Sequence, residues 1–210
     1  MNLGQAMAGG KGAKEALARP RERDDFYPTP PEVTEALWLA ENKYLGKKGL
    51  PAVIWEPACG DGAICKALER HDHDVVATDL VYRGYGHGEI DFLKRKSLPK
   101  EAPDEYIITN PPFNLAAQFI DHALGTLKVS YLALLLKSTF FHADGRMALY
   151  ERFTPSVIYP LTWRPDFMGL GAPTMECAWF VWRRPLEPTR RPEYQPIRRP
   201  GAAPLMPELL

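Results

Sequence analysis

Pro111 and Pro112 stand directly behind a short apolar run, Tyr106-Ile107-Ile108, and this junction constrains the fold more than any other stretch of the 210 residues. The run reads as a buried strand. Proline offers no N–H to a ladder, so two in succession force the chain out of the sheet. Thr109-Asn110-Pro111-Pro112-Phe113 is therefore a rigid, extended turn at the carboxyl end of a strand, with an amide before the prolines and a ring after them. In an open α/β sheet that edge is where ligands bind. An Asn carbonyl and nearby backbone carbonyls can hold an amino group in a plane, and a Phe ring offers a face to a flat base. The same residues also suit a plain structural turn, and taken alone they leave both readings open.

The rest of the chain builds the sheet that this turn leaves. Met1 to Asp25 has no sustained apolar face and reads as a disordered tail. In Phe26-Tyr27-Pro28-Thr29-Pro30-Pro31, Thr29 is the expected N-cap of a helix running from about Pro31 to Tyr44. Val53-Ile54-Trp55 is a buried strand, then a glycine turn, then a helix over Ala63 to Arg70. That is the start of a Rossmann-like unit. Asp74 to Asp79 is a second strand, and Ile90-Asp91-Phe92-Leu93 a third. A helix from about Leu115 to Leu127 follows the proline turn, and Val129 to Leu136 is a central strand. Asp144 to Phe153 is a helix; Ser156 to Tyr159 and Cys177 to Trp182 are the last strands. The reading is one α/β domain over 26–184, with a Pro- and Arg-rich, semi-extended tail over 185–210.

Composition narrows the partners. Lys plus Arg and Asp plus Glu are both 26, so no global basic bias points to nucleic acid, and such a partner must be met by a local patch. Cys59, Cys65 and Cys177 form no CxxC pair and no even set, which argues against a disulfide framework or a zinc site. No apolar run approaches the length of a membrane span. A cytoplasmic protein without metal is expected. His71, His73, His87, His122 and His142 lack metal-ligand spacing, and Ser138-Thr139 has no His/Asp partner nearby in sequence for hydrolase chemistry.

The glycine turn is Glu56-Pro57-Ala58-Cys59-Gly60-Asp61-Gly62. Its glycines let the backbone approach a ligand, and the helix behind it presents its positive end. The spacing is not G-x-G-x-x-G, and no Lys-Ser/Thr pair follows as in a phosphate loop. Two acids, Glu56 and Asp61, would repel a pyrophosphate and suit a ligand with positive charge. Asp79 ends the second strand 18 residues after Asp61 and is placed to accept bonds from a ribose diol. Asp91-Phe92 could take an amino group and lie against the face of an adenine. Each of these also has a bland reading as a turn, a solvated acid or a core ring.

In this order, Pro28-Thr29-Pro30-Pro31-Glu32-Val33, the glycine turn, Asp79, Asp91-Phe92 and Asn110-Pro111-Pro112-Phe113 resemble the amino-group DNA methyltransferases, above all the small adenine-N6 enzymes of phages and prophages. The resemblance spans about Phe26 to Arg183. It implies a Rossmann-like class I methyltransferase fold, with a mostly parallel, seven-stranded sheet between helices, and S-adenosylmethionine as cofactor. By the same resemblance Thr29, with Tyr27 beside it, would help hold the cofactor's carboxylate, and Glu56 with the turn Pro57 to Gly62 its methionine end. Asp79 would take the ribose, and Asp91 and Phe92 the adenine. Asn110 and the Pro111 carbonyl would accept from the target amine, and Phe113, after Pro112, would stack on the extruded base. Adenine N6 in DNA is the leading acceptor. RNA, a protein glutamine amide, or a non-catalytic module that keeps the fold remain alternatives.

No stretch between Phe113 and Trp182 is long enough for the recognition domain such enzymes use, so relaxed or short sequence specificity is expected. The Trp163 to Pro173 loop, with Trp163 and Arg164, is the candidate substrate contact, and Lys137 and His142 lie at the same edge. Between Arg183 and Pro200 six arginines face two glutamates, a stretch expected to tether nucleic acid through its phosphates.

Overall fold

Alternation along the strands decides the architecture. In a strand successive side chains point to opposite faces, so a strand apolar at every position must be covered on both sides. The computed structural model, which describes residues 26–171, 173–186 and 191–202, shows this at β4 (Tyr131–Lys137) and β6 (Cys177–Arg183). Tyr131, Ala133 and Leu135 of β4 join Trp179 and Val181 of β6 on one face, where Val33 and Leu37 of helix α1 (Pro31–Leu45) and Ile64 and Leu68 of α2 (Ala63–Glu69) cover them. Leu132, Leu134 and Leu136 join Phe180 and Trp182 on the other, under Phe119 and Ile120 of α3 (Ala116–Asp121) and Leu149 of α4 (Met147–Arg152).

The remaining strands are β1 (Val53–Glu56), β2 (Asp74–Ala77), β3 (Tyr106–Thr109), β5 (Val157–Pro160) and β7 (Glu193–Tyr194). The seven stand in the order β2-β1-β3-β4-β6-β5-β7. β1 pairs in parallel with β2 and β3, and β3 with β4. β6 runs antiparallel to both β4 and β5, while β7 lies parallel to β5. Three buried indoles pin the layers: Trp55 Nε1 donates to Thr78 Oγ1 at 3.0 Å, Trp179 Nε1 to the Val33 carbonyl at 2.9 Å, and Trp182 Nε1 to the Phe153 carbonyl at 2.8 Å.

The count of seven strands matches expectation with a different seventh member. Ile90 to Leu93 is not a strand: Asp91 caps a short 3-10 turn, Phe92–Lys94, by accepting from Leu93 N–H at 3.0 Å. An acid that closes on its own backbone two residues ahead competes with ladder pairing. The seventh strand comes from the stretch expected to be a tail. Glu193 N–H donates to the Ser156 carbonyl at 3.1 Å and Gln195 N–H to Ile158 at 3.0 Å, and Ile197 is buried against β5 and its neighbours. One apolar residue and a short run of ladder bonds suffice at an edge. Thr29 is not the N-cap of α1. Pro30 occupies that position and makes no side-chain cap, and the Thr29 hydroxyl is used elsewhere. Helix α3 stops at Asp121 and continues as a π turn, His122–Thr126. The expected tail over residues 1–25 lies outside the described residues.

Candidate active site

The carboxyl ends of β1, β2 and β3 open on one cleft of 440 Å³, roofed by the segment Phe26 to Thr29. That volume is within the usual range for a small-molecule site. On the β1 side the chain turns through Gly60 and Gly62, both at positive φ, before α2 begins. The turn is packed tightly from two directions. A Cβ on Gly60 would fall 2.4 Å from the Phe26 ring, and one on Gly62 would fall 2.4 Å from Tyr85. Glycine is required at both positions by conformation and by space.

Glu56 closes the floor. Its carboxyl is fully buried, and Oε1 accepts from Ala58 N–H at 3.1 Å. Oε2 is buried without a hydrogen bond of good geometry, although the Thr109 hydroxyl faces the group. Burial pushes Glu56 up to about 8, while the Thr109 hydroxyl and the Ala58 amide pull the other way and the Asp79 charge adds to the rise. Cys59, in the same turn, is pushed up to about 12, first by burial and then by the Glu56 and Asp79 charges. A thiol so hard to ionise is a poor nucleophile.

The other acids named from sequence meet at the same cleft, each already holding backbone. Asp79 accepts from Gly60 N–H through Oδ2 and from Val81 N–H through Oδ1, both at 2.8 Å, so it ties the glycine turn to the loop after β2. Asp61 accepts from Ala63 N–H at 3.2 Å at the start of α2. Asp91, besides its cap, pairs with Lys94 at 3.1 Å. Phe92 is buried in a cluster with Trp55 and Phe119 at ring separations of 5.4 and 4.5 Å.

Asn110 stands at the end of β3, where the prolines turn the chain away. Its Nδ2 donates to Thr29 Oγ1 at 3.1 Å and more weakly to the Tyr27 carbonyl at 3.4 Å. A carbonyl can only accept, so the amide orientation is fixed by its partners. Oδ1 is left buried with no hydrogen-bond partner. Phe113, three residues beyond, has the Tyr27 ring 6.5 Å away and inclined by 25°, and the Lys137 ammonium 5.6 Å over its own ring. Phe167 meets Tyr27 edge-on at 6.4 Å.

Among the residues expected to touch substrate, Lys137 thus reaches the Phe113 ring. Trp163 packs on the core face that α1 covers. Arg164 forms an exposed pair with Glu176 at 2.7 Å. Sequence reasoning passed over Phe26, Arg83, Leu80, Val81, Ile90, Leu115 and Phe119, all of which line the cleft. The Arg83 guanidinium lies 4.5 Å over the Phe26 ring. Leu80-Val81, directly after a strand-ending acid, was the one local signal for them. Among the described residues no cluster of His, Cys, Asp or Glu could hold a metal ion, and no helix is long and apolar enough to cross a membrane.

The strand order, the reversed β6 and the cleft at the carboxyl edge define the class I methyltransferase fold. Among solved structures, a protein of Listeria monocytogenes provisionally assigned as a class I S-adenosylmethionine-dependent methyltransferase matches 80% of this chain at 15% identity, with a TM-score of 0.56. The match covers 65% of that protein's length. A provisionally assigned RNA methyltransferase of Pyrococcus horikoshii matches 74% of this chain and 84% of its own at 14% identity and a TM-score of 0.51. A provisionally assigned haemolysin of Lactococcus lactis matches 80% and 94% at 10% identity and 0.53. At such identities the likeness is one of fold. No protein-family model and no curated protein matches the sequence.

Proposed function

We propose that this chain is an S-adenosylmethionine-dependent methyltransferase acting on the exocyclic amine of adenine in DNA. The observation that carries the reading is Asn110 Oδ1, an acceptor buried without a partner at the ligand-binding edge of the sheet. A buried carbonyl oxygen left unbonded is costly unless a ligand satisfies it, and an amine N–H does so.

The cleft fits the cofactor on its own terms. It has the volume, a glycine turn open to close approach, and in Glu56 a buried carboxyl whose free Oε2 suits an ammonium group. The bound sulfonium supplies an activated methyl group. Everything else falls to the protein, and it is mostly positioning and electrostatics. Glu56 and the Cys59 to Gly62 turn would hold the methionine end, and the Asp79 loop the ribose side. Asn110 Oδ1 takes one proton of the acceptor amine in a hydrogen bond, and the Pro111 carbonyl takes the other. The nitrogen lone pair is then turned out of the plane of the two bonds, toward the cofactor. Phe113 offers its face to the base. Extruding a base from a duplex costs a few kcal/mol, of which stacking on one ring offsets about 1–3 kcal/mol.

The test is methyl transfer from labelled S-adenosylmethionine to unmethylated duplex DNA, single-stranded DNA, total RNA and a protein extract, with Asn110→Ala alongside. Label on adenine N6 in DNA, lost in the variant, is the expected result. Label confined to RNA or protein overturns the acceptor while keeping the chemistry, and no label on any of them overturns the reading.

A further inference from the structure

The segment Phe26 to Thr29 does more than roof the cleft. It touches the cofactor half and the acceptor half at once: the Phe26 ring seats on Gly60, while Tyr27 and Thr29 hold the amide of Asn110. An Asn side chain has a broad terminal torsion and by itself chooses no orientation. Here the two donors of Nδ2 are drawn to Thr29 Oγ1 at 3.1 Å and to the Tyr27 carbonyl at 3.4 Å, and Oδ1 is turned the other way. Thr29 is itself only 4% exposed.

We infer that Thr29 is the positioning residue for Asn110, setting which end of the amide meets the acceptor amine; the inference rests on the proposed role of Asn110. A hydroxyl accepts and donates at once. Thr29 lines the cleft, so its own O–H could donate to an anionic group bound there while its oxygen receives Asn110. Such a donation would strengthen the hold of Thr29 Oγ1 on Nδ2, since hydrogen bonds in a chain reinforce one another. Thr29 acts through Asn110 and does not touch the reacting atoms.

Helix capping does not account for this residue. Thr29 lies one residue ahead of the N-cap and makes no cap: α1 starts behind Pro30 without a side-chain bond. The hydroxyl is instead spent on a residue 81 positions away.

The experiment compares Thr29→Val, which keeps the shape and removes the hydroxyl, with Thr29→Ser, which keeps the hydroxyl. The full chain is used. In two-dimensional NMR spectra, the side-chain NH₂ pair of Asn110, assigned by its loss in Asn110→Asp, should be protected from exchange with solvent in the wild type and in Thr29→Ser. It should lose that protection in Thr29→Val. In methyl transfer, Thr29→Val should lower kcat by on the order of tenfold or more with the acceptor KM little changed, and Thr29→Ser should restore it. An Asn110 NH₂ pair equally protected in Thr29→Val overturns the inference, whatever the activity. So does a Thr29→Val enzyme with unchanged kcat and a raised KM for the cofactor alone, because Thr29 would then serve only the cofactor. Wild-type protein that transfers no methyl group to any acceptor, yet shows the protected amide lost in Thr29→Val, would sink the proposed function and leave the orientation of Asn110 by Thr29 standing.

Discussion

Arg183 grips Glu41 with two nitrogens, Nη2 to Oε1 at 2.5 Å and Nε to Oε2 at 3.3 Å, joining the end of β6 to α1 across 142 residues. Glu41 is fully buried, and Arg183 also donates to the Tyr159 hydroxyl at 3.1 Å and covers the Tyr44 ring at 3.8 Å. Removing one member leaves the other charge buried without compensation, which costs about 3–5 kcal/mol. Glu41→Leu should therefore lower unfolding stability by that order in urea titrations. The double variant Glu41→Leu/Arg183→Met should recover most of it. A Glu41→Leu protein as stable as the parent would mean the pair contributes nothing that hydrocarbon cannot.

Glu56 should make cofactor binding depend on pH. In the empty cleft the carboxyl holds its proton up to about 8, whereas a bound ammonium favours the carboxylate. Binding below pH 8 must then release that proton, so affinity rises with pH between 6 and 8, by up to about tenfold per unit, and levels off above. Calorimetry in two buffers of different ionisation enthalpy would register the released proton. Glu56→Gln should bind more weakly at pH 8 and show a flat profile over that window; a variant profile as steep as the wild type's would assign the titration to another group.

At Gly60 the prediction is steric. Its φ of +55° disfavours any side chain, and the Phe26 ring fills the space a Cβ would take. Strain of this kind costs of order 1–3 kcal/mol, so Gly60→Ala should weaken cofactor binding about tenfold or more. Adding Phe26→Ala removes the clash and leaves the backbone strain, and should restore only part of the affinity. Equal affinity in Gly60→Ala and the parent would show that neither the Phe26 contact nor the backbone conformation at Gly60 matters for binding.

The last strand divides stability from charge. Ile197 is 7% exposed and packs with Val157, Tyr159 and Trp179. Ile197→Ala should cost about 2 kcal/mol, the low end for a core truncation because it lies at a sheet edge, read as a fall in Tm. Half of the arginines expected to form a nucleic-acid tether have structural duties. Arg183 holds Glu41, Arg184 donates to the Val129 and Leu124 carbonyls at 2.8 and 2.6 Å, and Arg199 pairs with Glu32 at 2.8 Å. The exposed Arg191 and Arg198 are the clean test of the tether. Changing both to Gln should flatten the log–log salt slope of DNA binding by about 1–2 without moving Tm, and an unchanged slope would exclude these two from phosphate contact.

What the sequence disclosed and what it hid separate by range. Asn110 to Phe113 and Glu56 to Gly62 were legible because proline and glycine act on the backbone where they stand, next to short apolar runs. The face-to-face alternation of Tyr131 to Leu136 was equally local. Glu193 and Tyr194 were hidden because a two-residue strand has no period of its own, and it sits among prolines and arginines that read as solvated. Asp91 misled because an apolar neighbourhood suggested a strand while its carboxylate closed a turn. The bonds from Asn110 to Thr29 and from Arg183 to Glu41 join residues far apart in sequence, and no local pattern announces either. Both appear only when the sheet brings its carboxyl edge against the start of α1 and its opposite end against the middle of that helix.

The path of Phe26 to Thr29 over the cleft has a practical side. The cavity borrows part of its wall from a segment that precedes every helix and strand of the domain, so Phe26 and Tyr27 belong to the site as much as to the chain's approach to α1. For anyone trimming this protein for assay, a cut past Phe26 opens the cleft as well as shortening the chain.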